Sequence, residues 1–116
     1  MHRRQLPNRE NAQVSRDKLI DYLLSSEHPD GRTKARFFAA FGFSADEWQQ
    51  FALALATHAQ EHVVARVESS PFGVRYVIDG ILRAPDGREP MVRTVWFIES
   101  GETIPRLVTA YPLSKR

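Results

Sequence analysis

Six side chains in the second half of this sequence could act together on a phosphate. Arg66, Glu68, Arg75, Arg93, Thr109 and Tyr111 fall where alternation along four strands places them on one sheet face. Fixed guanidiniums beside hydroxyls suit a phosphodiester: the cations neutralise the phosphate and its transition state, and a hydroxyl positions or passes a proton. The same residues also fit a solvated face with ordinary cross-strand ion pairs, and a slip of one residue would turn any strand over.

Two further features bear on chemistry. Lys34, Phe37, Phe38 and Phe41 recur at i, i+3, i+4 and i+7, so a lysine stands on an otherwise apolar helical stripe. It either snorkels to water or holds its ammonium at the boundary of helix and sheet to touch a phosphate. His58-Ala59-Gln60-Glu61-His62 matches the H-x-x-E-H pattern of inverted zinc proteases. The pattern sits at a helix end, where the dipole favours histidine anyway, and no downstream helix offers a third ligand. No metal site and no cofactor are therefore expected. His28, beside Pro29 and Gly31, reads as a turn residue rather than a catalytic imidazole.

The elements that must position these residues change period near Val63. Before it, Ser15 caps a first helix over 16–25 through Leu19, Ile20, Leu23 and Leu24, and Ser26–Gly31 breaks it. A second helix over 32–41 stops at Gly42, a residue suited to a left-handed cap. Ser44 and Glu47 have capping-box spacing and open a third helix through Trp48, Phe51, Leu55 and Ala59.

After Val63 the pattern alternates. Strands are expected over 63–69, 74–83, 91–99 and 106–111, with turns at Ser70–Gly73, Pro85–Arg88 and Ser100–Glu102. The fold class is α+β: three N-terminal helices packed on one face of a four-stranded antiparallel sheet. Phe37, Phe41, Phe51, Leu55, Tyr76, Ile78 and Trp96 are the expected core. Residues 1–14 read as an extended arm, 15–113 as a single domain and 114–116 as a tail.

Composition narrows the class further. The chain has 116 residues, 42% hydrophobic and 26% charged, which is ordinary for one folded domain and unlike a disordered chain. It has no cysteine, and its first ten residues carry no apolar stretch, so a reducing, cytoplasmic setting without a membrane span is expected. Sixteen basic and 14 acidic residues leave +2. Residues 1–62 hold eight of each sign, so the excess lies wholly in 63–116, where seven of eight basic residues are arginine. Arginine grips phosphate in two places at once, although a GC-rich genome also favours it.

Four runs together carry a family resemblance: Leu6–Asn8, His28–Phe38, Val92–Phe97 and Arg106–Pro112. From about Leu6 to Leu113 the chain resembles an uncharacterised bacterial domain family that occurs as small stand-alone proteins and as C-terminal tails of polymorphic toxins. More loosely, the order of elements is similar to the barnase, EndoU, colicin and RelE ribonucleases, which cut RNA on the open face of such a sheet. Those enzymes combine basic residues with a Thr, Ser, Tyr or His late in the sheet. This sheet has no histidine, so a RelE-like set of Lys, Arg and Tyr fits better than a barnase-like one.

The resemblance and the residues together imply a toxin-like, metal-independent endoribonuclease. Arg75 and Arg93 would grip phosphate, Lys34 would neutralise charge, and Tyr111 with Thr109 would handle the proton at the 2′-hydroxyl or leaving oxygen. Arg36, Arg66 and Arg106 would be further RNA contacts. The alternative is a non-catalytic partner-binding module of a two-gene, toxin–antitoxin-like cassette. The expected partners are RNA and a small acidic antitoxin or immunity protein.

Overall fold

The computed structural model describes residues 4–25 and 32–113, so the expected turn at Ser26–Gly31, with His28, lies outside the described residues. Three helices precede a four-stranded sheet. Ser15 accepts a hydrogen bond from the Lys18 amide at 2.9 Å and opens α1 (Arg16–Lys18), which widens into a π-type segment over Leu19–Leu23. The Leu24 amide bonds to the Leu19 carbonyl at 2.7 Å, closing this helix short of the expected Ser25. Then follow α2 (Arg32–Ala40) and α3 (Trp48–Glu61).

The second helix ends in a Schellman motif. Gly42 sits at φ 102°, its amide bonds to Ala39 O at 3.0 Å, and the Phe43 amide bonds back to Phe38 O at 3.2 Å. The apolar contact belonging to that motif is present too, with the Phe38 and Phe43 rings 6.3 Å apart. The expected capping box is not formed. The third helix begins only at Trp48, after Glu47, and no side chain caps it. Ser44–Glu47 carry the chain from the buried Phe43 to the helix, so Ser44 stands four residues before its first residue.

The strands are β1 (Val64–Ser70), β2 (Gly73–Ile81), β3 (Met91–Glu99) and β4 (Arg106–Pro112), antiparallel in the order β1-β2-β3-β4. Register shifts between Val64 and Arg66, and again between Val95 and Trp96, mark an irregularity in the pairing of each edge strand, where a strand bends and twists more strongly. The β2–β3 turn docks on the helical layer. Arg88 donates to the Ala40 carbonyl at 2.7 Å and lies over the Phe41 ring at 4.2 Å, satisfying an orphan carbonyl of α2.

Ile78, Leu82, Val92, Trp96, Leu107 and Ala110 meet Leu19, Leu23, Phe38, Phe51 and Leu55 in one core. Four of the seven expected core residues, Phe51, Leu55, Ile78 and Trp96, are fully buried. Phe37, Phe41 and Tyr76 are only partly buried against that core, and Phe38 occupies the centre of the second helix's stripe instead. Phe37 and Phe41 flank it on the outer side, 5.0 Å apart, because only one residue per turn can point straight at the sheet.

The first described residues are packed against the domain. Leu6 is buried in the core, and Gln13 pairs with the start of β4 by hydrogen bonds of 2.9 Å to Pro105 O and 3.0 Å from Leu107 N. Among the described residues no helix is long and apolar enough to cross a membrane.

Candidate functional site

The face turned away from the helices carries Arg66, Glu68, Arg75, Asp79, Arg93, Thr109 and Tyr111, the face on which alternation put them. Cross-strand register sorts them into two ends. At one end Asp79, Arg93 and Tyr111 are direct neighbours across β2, β3 and β4. Arg93 donates to the two carboxylate oxygens of Asp79 at 2.7 and 2.9 Å, a fork-on-fork pair that is only a quarter exposed. Hydrogen bonding from Arg93 holds the Asp79 carboxyl below the usual carboxylate range. The guanidinium is in turn held protonated, by Asp79 first and by the Tyr111 hydroxyl second.

Lys34 reaches this end from α2. Its ammonium donates to the Tyr22 hydroxyl at 2.5 Å and lies 4.7 Å from the Tyr22 ring centre and 5.9 Å from that of Tyr111. Two aromatic faces and a phenol oxygen therefore stabilise a partly buried cation. Lys34 stands one turn before Phe38, so the burial of that ring sets where the ammonium emerges. Tyr22, three residues after the buried Leu19, puts a polar handle on the same helical stripe, a placement the apolar pattern alone does not reveal.

The other expected residues are not brought to that corner. Arg75 pairs across with Phe97, four residues along β3 from Arg93, or about 13 Å at the usual strand rise. It shares Glu68 with Arg66, at 3.9 and 3.0 Å, and Arg106 pairs with Glu99 at 2.9 Å. Arg36 is exposed on the second helix. Thr109 lies beside Val95, and its hydroxyl oxygen is buried without a hydrogen-bond partner. Val77 and Val95, in the middle of this face, are almost completely buried yet stand outside the main core.

The histidine pattern serves the backbone instead of a metal. His58 is buried, with Nε2 at 2.9 Å from Val92 O and 3.1 Å from Gly80 O. Both are acceptors, so Nε2 carries the proton, and the bare Nδ1 accepts from the Thr94 hydroxyl at 3.1 Å. The Thr94 oxygen accepts from Trp96 Nε1 at 2.9 Å, which completes a satisfied chain between helix and sheet. Burial, then the nearby His62, pushes the His58 pKa down to about 4.

His62 donates to Ile81 O at 3.0 Å with its ring 4.8 Å from that of His58, and Glu61 is held by Arg83 at 3.1 Å. All three members of the pattern are thus engaged elsewhere. Among the described residues no group of three or more His, Cys, Asp or Glu is placed to hold a metal. A side chain at Gly80 would overlap the His62 ring, which explains a glycine inside a strand. Spacing gave the clue to this role: Phe51, Leu55, His58 and Ala59 form one buried stripe.

Comparison with known proteins adds a fold and a family. No curated protein matches the chain. Among solved structures, a chain of the "Contact-dependent growth inhibition toxin - immunity protein complex from Klebsiella pneumoniae 342" is similar, with a TM-score of 0.73 at 15% identity. The match covers 92% of this chain and 97% of that one, so the whole arrangement of helices and sheet is shared. A family model matches residues 5–114, and the chain belongs to that family, the Domain of unknown function DUF6883.

Proposed function

We propose that this domain is the RNA-cleaving module of a bacterial toxin–immunity system, working without a metal ion at the corner formed by Lys34, Arg93 and Tyr111. The observation that carries the reading is convergence. Lys34 from α2 touches Tyr22 from the segment after α1 and lies 5.9 Å from the Tyr111 ring centre on β4, and Tyr111 is the direct cross-strand neighbour of Arg93 on β3. The shared fold with a chain of a toxin–immunity complex supports the setting.

In the proposed reaction the ribose 2′-oxygen attacks the adjacent phosphorus. A P–O2′ bond forms, the P–O5′ bond breaks, the 2′ proton departs and the 5′-oxygen gains one. Lys34 and Arg93 offset the charge gathering on the phosphorane oxygens, and Tyr111 steadies or relays a proton. Arg75, Arg66 and Arg106 act farther along the face as strand contacts. Thr109, with its oxygen buried, shapes the floor. Expression in a bacterium tests this: growth arrest and RNA fragments with 2′,3′-cyclic phosphate ends are expected, and both should vanish in Lys34→Ala and Tyr111→Phe.

One observation favours a second reading. Arg66, Arg75, Arg93 and Arg106 each have a carboxylate partner on the same face, so the surface alternates in charge rather than being uniformly basic. Such a face also suits docking of a partner protein such as an immunity protein. Healthy growth with intact RNA, together with tight binding to a genetically adjacent protein, would favour this reading over cleavage.

A further inference from the structure

Along the edge of β4, a cleft of about 610 Å³ opens between the N-terminal segment and the start of that strand. Its walls are Gln13, Val14 and Ser15 on one side and Phe97, Arg106, Leu107 and Val108 on the other, and Lys18 also lines it, its ammonium 5.4 Å from the centre of the Tyr22 ring that Lys34 contacts too. We infer that this cleft is a nucleotide subsite, taking one base and one phosphate of a single-stranded RNA whose scissile bond lies at the Lys34 corner.

The chemistry of the lining points there. Lys18 and Arg106 provide two cations, and no carboxylate lines the cleft, although Glu99 pairs with Arg106 from outside it. That pair is half exposed, so a phosphate can displace it at little cost. Phe97 supplies aromatic surface for a base, and Val14, Leu107 and Val108 add apolar walls. The wall is firm, because hydrogen bonds on both sides of Gln13 tie it to β4. Phe97 and Arg93 lie on the same strand face about 13 Å apart, with Arg75 beside Phe97, so a short single strand can occupy both ends at once.

This inference rests on the RNA reading, and the experiment separates the two. The full chain is titrated with a short 2′-O-methyl oligoribonucleotide, which cannot be cleaved, and in parallel with adenosine monophosphate. Binding is followed by amide chemical shifts and by fluorescence anisotropy. The oligonucleotide should bind with shift changes at Gln13, Lys18 and Phe97. Affinity should fall about tenfold in Phe97→Leu, and by at least as much in Lys18→Ala/Arg106→Ala, with melting temperatures unchanged.

Full oligonucleotide affinity in the surface double variant, which leaves the core untouched, would overturn the subsite while leaving the RNA reading in place. Binding of the monophosphate in the cleft without any oligonucleotide binding would support a nucleotide site but overturn its RNA source. Binding of neither at low salt would overturn both.

Discussion

Arg93 grips Asp79 through two parallel hydrogen bonds, and Tyr111 stands directly across from the same arginine on β4. An arginine so held is fixed in place with part of its charge already answered. Replacing Asp79 with Asn should release that charge toward a ligand and tighten binding of a non-cleavable RNA severalfold. Arg93→Ala should do the reverse and should also leave the Asp79 carboxylate unpaired, costing about 1–3 kcal/mol of stability. Anisotropy titrations and urea melts on both variants check the two directions.

Tyr111→Phe removes one oxygen and keeps the ring beside Lys34. Single-turnover cleavage should fall about a hundredfold or more, while RNA affinity and melting temperature stay near the parent values. A stable, fully active variant would exclude the phenol from the chemistry.

Lys34→Met keeps the aliphatic stem on the helical stripe and deletes the cation. Cleavage should drop by about two orders of magnitude with the fold intact, because Phe38 rather than Lys34 anchors α2. Circular dichroism beside single-turnover kinetics separates loss of charge from loss of structure.

The buried His58 makes stability depend on pH. Its folded pKa, about 4, lies below the ordinary value of 6.5, so the folded state holds the ring neutral. The contribution is complete above 6.5 and is lost as pH falls toward 4. Across that window the loss approaches about 3 kcal/mol, at 1.36 kcal/mol per unit. The depressed Asp79 carboxyl acts lower down, its contribution fading only as pH falls below its ordinary value of 3.8. Urea melts between pH 4 and 7, with the His58 ring protons followed by NMR, give both the midpoint and the assignment.

Chelation should change neither stability nor cleavage, since both Nε2 atoms of the histidine pair donate to strand carbonyls. Gly80→Ala should destabilise by about 1–3 kcal/mol, because its methyl group meets the His62 ring. Thermal melts with and without EDTA, on the parent and on this variant, cover both statements.

The sheet was legible because alternation is a local property: β3 has the expected bounds, and Arg75, Arg93 and Tyr111 occupy the expected face. Register is not local. Whether Arg93 sits opposite Asp79 or one pair further along depends on turn geometry and bulges, so the ion pairs could not be read in advance. Lys34 was singled out for standing on an apolar stripe, but its partners Tyr22 and Tyr111 lie in elements that only packing brings near. Phe37 and Phe38 are both acceptable core residues by type, and the choice between them came from the Schellman contact of Phe38 with Phe43. The H-x-x-E-H spacing was real. A helical turn that lines up two zinc ligands can equally line up two donors for the end of a strand.

The corner that joins Lys34 to Tyr111 is assembled from the second helix and the last strand. During synthesis Tyr22 and Lys34 are made well before β4, so the ammonium has only the Tyr22 phenol beside it until that strand is added. A chain cut before β4 therefore keeps the Lys34–Tyr22 contact but lacks Tyr111, so the corner depends on a strand far from the second helix in sequence. Under the proposed reaction, a fragment without β4 holds a cation but not the phenol that would pass the proton.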